Sequence, residues 1–148
     1  MDKILIRCAT TFKSKDYGVT CCKTKDNKEC LIINSKKESS IFCIMVVDDK
    51  LEKVAFLDYS IEANKKTLFV NKLEVLPDFQ FVGIGTMLLN SAGNICNKLN
   101  FKKLKLISLT TSLGFYQKLG FDVYELAKDA IYICEYPIKK EEVNQILI

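Results

Sequence analysis

The sequence predicts an α/β (α+β) fold in which helices flank a single mixed, mostly antiparallel twisted sheet of about six to seven strands. Apolar residues alternate along three consecutive segments between residues 41 and 75, and short turns separate these segments, as in an antiparallel meander. Two glycines then join the last segment to an apolar run of helical period, which another alternating segment follows. A strand reached through a helical crossover lies parallel to the strand before the helix, so the sheet is expected to contain one parallel pair.

The composition indicates one globular domain that covers residues 1–148. Hydrophobic residues make up 49% of the 148-residue chain and charged residues 27%, which suits a packed core and is unlike a disordered chain. The first residues include Asp2 and an apolar run too short for a signal peptide, and no segment has the length of a membrane span. We therefore expect a cytoplasmic protein with no membrane partner.

The cysteines and the absence of histidine exclude several kinds of site. The chain has 7 cysteines and 0 histidines. Without a secretion signal the cysteines are expected to be reduced thiols, and the spacing of Cys21, Cys22 and Cys30 is not that of a zinc site, so we predict no metal. Because histidine is absent, catalysis cannot use the commonest general base or the Ser-His and Cys-His nucleophile schemes.

The charge pattern argues against a nucleic-acid partner. The net charge of +4 is mild, and the lysines are spread along the chain except for Lys102, Lys103 and Lys105. A nucleic-acid-binding surface usually shows a more concentrated basic stripe with interleaved aromatic residues. A solvated face explains the lysine cluster most simply, and contact with the phosphates of a cofactor is the functional alternative.

The first 40 residues are the least regular part of the chain. Ile4–Cys8 is a short apolar run that predicts a first strand, and no stripe of helical period is evident before residue 40. Tyr17–Cys22 and Cys30–Ile33 flank an Asp-Asn pair that favours a turn, so these two segments predict a hairpin.

Residues 41–137 carry the regular elements of the predicted core. In chain order these are the strands Ile41–Val47, Val54–Ile61 and Thr67–Val75, the helix Gly85–Lys98, the strand Lys103–Leu109, and a final hairpin of Phe121–Leu126 with Ala130–Ile138. Before that hairpin, Ser112 is expected to cap a short helix that Gly120 terminates. Lys139–Ile148 is compatible with a small final helix.

The junction between Val75 and the following helix is a candidate anion site. Glycine has no β-carbon, so Gly83 and Gly85 let a ligand approach the main chain, and the first turn of a helix offers N–H groups without intrahelical partners. A purely steric need for glycine at a strand-to-helix turn is the alternative. The loop is not a nucleotide-hydrolase phosphate loop, because no lysine follows Gly85, nor a dinucleotide fingerprint, because position 88 is leucine.

Two motifs together resemble those of the GCN5-related N-acetyltransferase (GNAT) superfamily. Val75–Gly85 reads V-L-P-D-F-Q-F-V-G-I-G and resembles the cofactor motif V-x-P-x-x-Q-x-x-G-x-G of that family. Gly114–Phe121 reads G-F-Y-Q-K-L-G-F and resembles the F-Y-x-K-x-G-F signature near the end of the same domain. The resemblance covers residues 41–137. Relatives have two helices between their first two strands, so residues 1–40 depart from the family.

The resemblance implies an acyl-CoA-dependent N-acetyltransferase. Its expected reaction moves the acetyl group of acetyl-CoA to a primary amine by direct attack in a ternary complex, without a covalent enzyme intermediate. The resemblance also implies a splay between the central parallel strands that admits the pantetheine arm. The residues implied in cofactor binding are Phe81, Val82, Gly83, Ile84, Gly85 and Thr86 at the pyrophosphate, and Leu73 and Val75 along the pantetheine. The N–H of Val75 would face the thioester oxygen.

Tyr116 and Glu74 are the candidate catalytic residues. Tyr116 corresponds to the tyrosine that in many relatives protonates the departing thiolate; the alternative is an aromatic core residue whose hydroxyl makes one hydrogen bond. Glu74 neighbours Val75 and is either a general base that faces the acceptor or a solvated strand carboxylate.

Other positions leave the identity of the base open. Where many relatives carry an acidic base, this chain has Phe69 and either Leu104 or Leu106, so a water-relayed base or an amine that arrives neutral is also compatible with the sequence. The alternative pocket residues are Asp58, Tyr59 and Glu62. Leu109 stands where some relatives have an asparagine that contacts the cofactor.

A second function fits the same motifs: an acetyl-CoA-binding sensor or partner module with this fold and without efficient transfer. The missing conventional base and the unusual N-terminal region favour it, whereas the intact glycine loop and Tyr116 favour an enzyme. The expected partner is an amine acceptor, either a small molecule or a protein amine. Relatives commonly dimerise through their final strands, so a homodimer is compatible with the resemblance.

Overall fold

The computed structural model describes residues 1–127 and 131–138, which form three α-helices, eight strands and two short 3₁₀ turns. In chain order the helices and strands are α1 Lys3–Lys13, β1 Gly18–Lys23, β2 Glu29–Ser35, β3 Ser40–Val47, β4 Lys50–Glu62, β5 Thr67–Val75, α2 Ile84–Lys98, β6 Lys103–Leu109, α3 Thr110–Lys118, β7 Asp122–Ala127 and β8 Ile131–Pro137. The 3₁₀ turns are Ala63–Lys65 and Pro77–Phe79. Within the described residues, no helix has the length and apolar character needed to cross a membrane.

The strands belong to one sheet with the order β1-β2-β3-β4-β5-β6-β8-β7. The pairs β1/β2, β2/β3, β3/β4, β6/β8 and β7/β8 are antiparallel. β5 and β6 are parallel, and their paired residues run from Thr67 with Lys103 to Val70 with Leu106. The predicted mixed, mostly antiparallel sheet with one parallel pair is confirmed, and the described part contains one strand more than the upper end of the prediction.

The chain divides into two compact units that share strands β4 and β5. The first unit contains residues 1–58 and 72–88, and the second contains residues 59–71 and the described residues from 89 onward. The single domain over residues 1–148 stays a prediction.

In the first unit, the predicted strand at Ile4–Cys8 is wrong, because these residues belong to helix α1. The Asp2 carboxylate accepts a hydrogen bond of 2.7 Å from the Ile4 N–H and caps the helix. The buried residues Leu5, Cys8 and Ala9 recur at helical spacing, and Phe12 continues their stripe. The small Ala9 and the polar Thr10 and Thr11 beside it make this stripe hard to recognise in the sequence.

Helix α1 covers one face of the first strands. Its stripe packs against side chains of β2 and β3, namely Leu31, Ile33, Phe42 and Ile44. The Phe12 ring makes edge contacts with Tyr17 at 5.0 Å and with Phe42 at 5.8 Å between ring centroids. The predicted hairpin between residues 17 and 33 is confirmed as β1 and β2.

In the second unit, buried residues of helix α2 and of the strands form the core. Leu89, Ala92, Cys96, Leu104, Leu106 and Cys134 are each at most 2% exposed. Helix α3 begins at Thr110, and its N-cap residue Leu109 makes no side-chain cap bond, so the predicted cap at Ser112 is wrong. Gly120 ends the helix as predicted, with φ +93° and an N–H that donates to the Gln117 carbonyl at 3.0 Å.

The final hairpin consists of β7 and β8, which pair from Asp122 with Glu135 onward. The predicted boundary at Ala130 and the predicted small helix at Lys139–Ile148 lie outside the described residues.

Candidate functional site

The glycine loop, residues 76–83, leaves the end of β5 through a short 3₁₀ turn that Pro77 begins. The Phe79 N–H donates to the Leu76 carbonyl at 2.9 Å, which closes the turn. The side-chain Nε2 of Gln80 then donates to the Val75 carbonyl at 3.0 Å. Gln80 therefore ties the glycine loop back to the last residue of the strand, which gives the glutamine of the motif a structural function.

Gly83 has the backbone geometry that the site requires. Its φ of +89° lies in the left-handed region, where a side chain is strained. The Gly83 carbonyl accepts from the Met87 N–H at 3.1 Å and so begins the hydrogen bonding of α2. The first-turn N–H groups of Ile84, Gly85 and Thr86 have no acceptor within the helix and are available to an anion.

Phe81 is the unusual residue of the glycine loop. It adopts φ +65° although it is not glycine, and its side chain is 96% exposed. A left-handed conformation costs an ordinary residue roughly 1–2 kcal/mol. The six residues predicted to bind the pyrophosphate, Phe81 to Thr86, thus form one continuous turn into the helix, with the Phe81 ring directed to solvent.

The turn of the β1–β2 hairpin lies against the glycine loop, a contact that the sequence motifs do not predict. The Lys25 N–H donates to the Val82 carbonyl at 2.9 Å. The carbons of the Lys25 side chain also lie beside Gly83, 3.3 to 3.6 Å from the position that a β-carbon would take there. The irregular N-terminal region therefore contributes directly to the candidate cofactor site.

Glu74 lines a pocket on β4 and β5. The pocket has a volume of about 180 Å³ and is lined by Lys53, Val54, Ala55, Phe56, Glu74 and Leu76. The Leu76 N–H donates to the Val54 carbonyl at 2.9 Å and fixes the two strands beside it. The Glu74 side chain is 49% exposed and forms an ion pair with Lys72 at 3.4 Å. Its carboxylate is therefore accessible from the pocket and from solvent.

Aromatic rings and lysines form the surroundings of this pocket. The Lys53 ammonium lies 5.0 Å from the centroid of the Phe42 ring and 5.1 Å from that of Phe56. The Lys72 ammonium lies 5.5 Å from the Phe56 ring centroid. The pocket thus combines an apolar surface with a single carboxylate.

The alternative pocket residues do not line this pocket. Asp58 pairs with Ser40 across β3 and β4, and Glu62 forms an ion pair with Lys65 at 3.7 Å. Tyr59 is only 5% exposed, and burial raises the pKa of its hydroxyl. The positions where many relatives carry an acidic base are apolar here: Leu104 is 0% and Leu106 is 2% exposed, and Phe69 is half-buried.

Tyr116 lies on α3 in the second unit, in an aromatic cluster. Its ring contacts Phe115 and Phe121 with centroid distances of 5.2 and 5.5 Å, and Tyr136 follows at 5.3 Å from Phe121. Burial, with a smaller effect from Cys134, raises the pKa of the Tyr116 hydroxyl to about 12. The phenol is therefore neutral at physiological pH.

The family model and the related sequences that match this chain all name acetyltransferases. The model of the acetyltransferase (GNAT) family matches residues 8–121. N-alpha-acetyltransferase 50 of Danio rerio is 39% identical over 70 residues, 45% of this chain and 42% of the relative. An uncharacterized N-acetyltransferase of Oceanobacillus iheyensis is 29% identical over 140 residues, 87% of this chain and 84% of the relative.

A solved structure has the same fold. The crystal structure of the PaiA N-acetyltransferase of Thermoplasma acidophilum in complex with coenzyme A matches with a TM-score of 0.56 and 23% identity. The match covers 66% of this chain and 59% of that one, so this chain spans less than two thirds of this structure and of the Danio rerio relative. The family model covers both sequence motifs and most of the chain, and on this basis the chain belongs to the acetyltransferase (GNAT) family.

Proposed function

We propose that this protein transfers the acetyl group of acetyl-CoA to a primary amine by direct attack in a ternary complex. The observation that carries the proposal is the glycine loop, in which Gly83 at φ +89° turns the chain into the first turn of α2. This geometry presents consecutive backbone N–H groups to an anion such as the pyrophosphate of the cosubstrate. Membership of the GNAT family supports the same assignment.

Backbone groups would hold the cosubstrate and activate its thioester. In this proposal the N–H groups from Phe81 to Thr86 bind the pyrophosphate, while Leu73 and Val75 align the pantetheine arm. The Val75 N–H donates to the thioester oxygen as negative charge develops there. One donor of this kind can lower the barrier by about 3 kcal/mol. The hydrogen bond from Gln80 to the carbonyl of the same residue, Val75, restrains the backbone beside this N–H.

Two proton transfers complete the reaction. The attacking amine must lose a proton, and Glu74 accepts it in this proposal because its carboxylate is accessible and lines the pocket. The nitrogen forms its bond to the acetyl carbon as the bond to the cosubstrate sulfur breaks, and the thiolate leaves with the electron pair. Tyr116 then donates its proton to the thiolate, a role that suits a phenol that is neutral at pH 7.

The Glu74 pocket supports an acceptor amine with an adjoining apolar group. The Phe56 ring supplies apolar contact area, and the carboxylate of Glu74 attracts the ammonium form of the incoming amine. Both a small amine and the amino terminus of a protein have these features. The name of the Danio rerio relative, an N-alpha-acetyltransferase, makes peptides with a free α-amine the first acceptors to test.

Replacing Glu74 with glutamine is expected to lower kcat/KM for the amine by about 100-fold at pH 7, because a general base typically contributes 10²- to 10⁴-fold. The loss should shrink as the pH rises and the amine arrives already neutral, while the Kd for acetyl-CoA remains that of the wild type. Initial rates of thiol release between pH 6.5 and 9.5 measure both effects.

Glu52→Gln is the matched control for this substitution. Glu52 lies on β4, pairs with Met45, and has no place in the pocket. If Glu74→Gln lowers kcat/KM for the amine no more than Glu52→Gln does at every pH, Glu74 is a solvated strand carboxylate. Water would then act as the base.

A second candidate function is an acetyl-CoA-binding sensor or partner module without efficient transfer. The specific observation in its favour is the burial of Leu104 and Leu106 where many relatives carry an acidic base. Binding of acetyl-CoA is common to both candidates, so only acetyl transfer distinguishes them.

Calorimetric titration with acetyl-CoA, followed by a thiol-release assay over a panel of amines and peptides, tests the proposed function. We expect one acetyl-CoA per chain and thiol release with at least one α-amine peptide. Binding without release on any acceptor would favour the sensor, and a folded protein that fails to bind would contradict both functions.

A further inference from the structure

The turn of the β1–β2 hairpin, residues 24–28, is an ordered element rather than a loose loop. The buried Thr24 donates from its N–H to the Lys28 carbonyl at 2.9 Å, and its hydroxyl accepts from the Lys28 N–H at 3.0 Å. The Thr24 hydroxyl also hydrogen-bonds the Asp26 carboxylate, which lowers the pKa of that carboxyl. Asn27 takes the left-handed conformation, φ +64°, that a tight turn requires. The position of Lys25 is thus defined by a fully hydrogen-bonded turn.

This turn holds Lys25 directly on the glycine loop. The main-chain bond from the Lys25 N–H to the Val82 carbonyl, 2.9 Å, anchors the residue independently of its side chain. The side chain extends across Gly83, and its terminal carbon Cε lies 3.3 Å from the position of a β-carbon on that glycine. The Lys25 ammonium is one bond beyond Cε and is therefore close to Gly83, the residue that precedes α2.

The glycine loop and the first turn of α2 lack a positively charged side chain, which Lys25 can supply. The glycine loop and the first turn of α2, residues 76–88, contain no lysine or arginine, and Asp78 is their one charged residue. Backbone N–H groups and the helix dipole supply only partial positive charge. A cosubstrate diphosphate carries two full negative charges, so the motif by itself leaves it incompletely neutralised. Lys25 has no ion-pair partner in the described part of the chain and is available to supply the missing charge.

We propose that Lys25 is a further cosubstrate-binding residue, which pairs with the diphosphate of coenzyme A bound on the glycine loop and makes the site selective for thioesters that carry this diphosphate. The inference rests on the proposed function. The β1–β2 hairpin thereby completes the anion site from outside the motif.

The test compares wild-type protein with Lys25→Gln, using acetyl-CoA and S-acetylpantetheine, which lacks the diphosphate. Lys25→Gln is expected to weaken acetyl-CoA binding about tenfold at low salt, because an exposed charge-assisted hydrogen bond is lost. Its Kd should depend less on salt concentration than that of the wild type. The KM for S-acetylpantetheine should be the same for both proteins, and Lys25→Arg should restore most of the affinity for acetyl-CoA.

Lys23→Gln is the matched control, because Lys23 lies on the same hairpin, is exposed and pairs with Glu29 at the end of β1. If the wild type binds acetyl-CoA and Lys25→Gln binds it as tightly as Lys23→Gln does, Lys25 does not bind the diphosphate. This outcome overturns the inference and leaves the proposed function standing. Equal weakening for acetyl-CoA and S-acetylpantetheine would also overturn it, since the change would then act on the fold of the loop. A folded wild type that binds no acetyl-CoA would overturn the proposed function together with the inference.

Discussion

Gly83→Glu is expected to abolish measurable acetyl-CoA binding, with Kd raised more than about 100-fold. Three effects add at this residue. A side chain at φ +89° costs roughly 1–2 kcal/mol. A β-carbon there would meet the Lys25 side chain at 3.3 Å. The new carboxylate would also stand at the proposed diphosphate site, so like charges would repel. Isothermal titration calorimetry on protein with unchanged circular dichroism measures the loss.

Gly18→Glu controls for the added charge. Gly18 begins β1 without a positive φ, and a β-carbon there would only touch the Asn34 Cβ at 3.5 Å. Its Kd for acetyl-CoA should match that of the wild type. Gly83→Ala keeps the strain and omits the charge, so its Kd should rise by only about tenfold, as expected from the conformational cost. Tight binding of acetyl-CoA by a folded Gly83→Glu protein would show that the glycine loop is not the diphosphate site.

The elements around the glycine loop follow from local sequence. The alternation that ends at Val75, the turn at Pro77 and the glycines before an apolar helical run each act over a few residues, so their structure is encoded nearby. For the same reason the parallel relation of β5 and β6 is predictable, because a single helix separates them. The region from β3 to β6 therefore agrees with the sequence prediction element by element.

Helix α1 and the contact of the β1–β2 turn with the glycine loop were not predictable in the same way. The stripe of α1 consists of a leucine, a cysteine, an alanine and a phenylalanine, and it gains its stability by packing on β2 and β3 rather than from helix propensity. The contact of Lys25 with Val82 and Gly83 joins distant parts of the chain, and no local pattern encodes it. Tertiary contacts of this kind require the structure.

The pocket beside Glu74 depends on a β-bulge that the sequence does not reveal. The pairing of β3 with β4 moves from Cys43 opposite Ala55 to Ile44 opposite Lys53, which leaves Val54 as an extra residue. By simple alternation Lys53 and Phe56 would lie on opposite faces of β4, since they are an odd number of residues apart. The bulge reverses this relation and brings the Lys53 ammonium within 5.1 Å of the Phe56 ring centroid.

Tyr116→Phe is expected to lower kcat by about 100- to 1,000-fold, the range in which a general acid contributes, and to leave the Kd for acetyl-CoA unchanged. The ring remains, so the edge contacts with Phe115 and Phe121 and the fold of the aromatic cluster should persist. In the proposed mechanism, the substitution removes only the proton for the departing thiolate. Thiol release under saturating acetyl-CoA and amine, together with calorimetry, separates kcat from binding.

Tyr124→Phe is the control for Tyr116→Phe, because Tyr124 is a 54% exposed tyrosine on β7 of the same unit. The pH dependence gives a second criterion. Burial raises the pKa of the Tyr116 hydroxyl to about 12, so it stays protonated through the range in which a solvated tyrosine, with a pKa near 10, begins to ionise. The ratio of wild-type to Tyr116→Phe kcat should therefore remain constant from pH 7 to about pH 10. A ratio that falls toward one over this range would mean that the thiolate leaves without a proton from Tyr116, whose function would then be to pack the aromatic cluster.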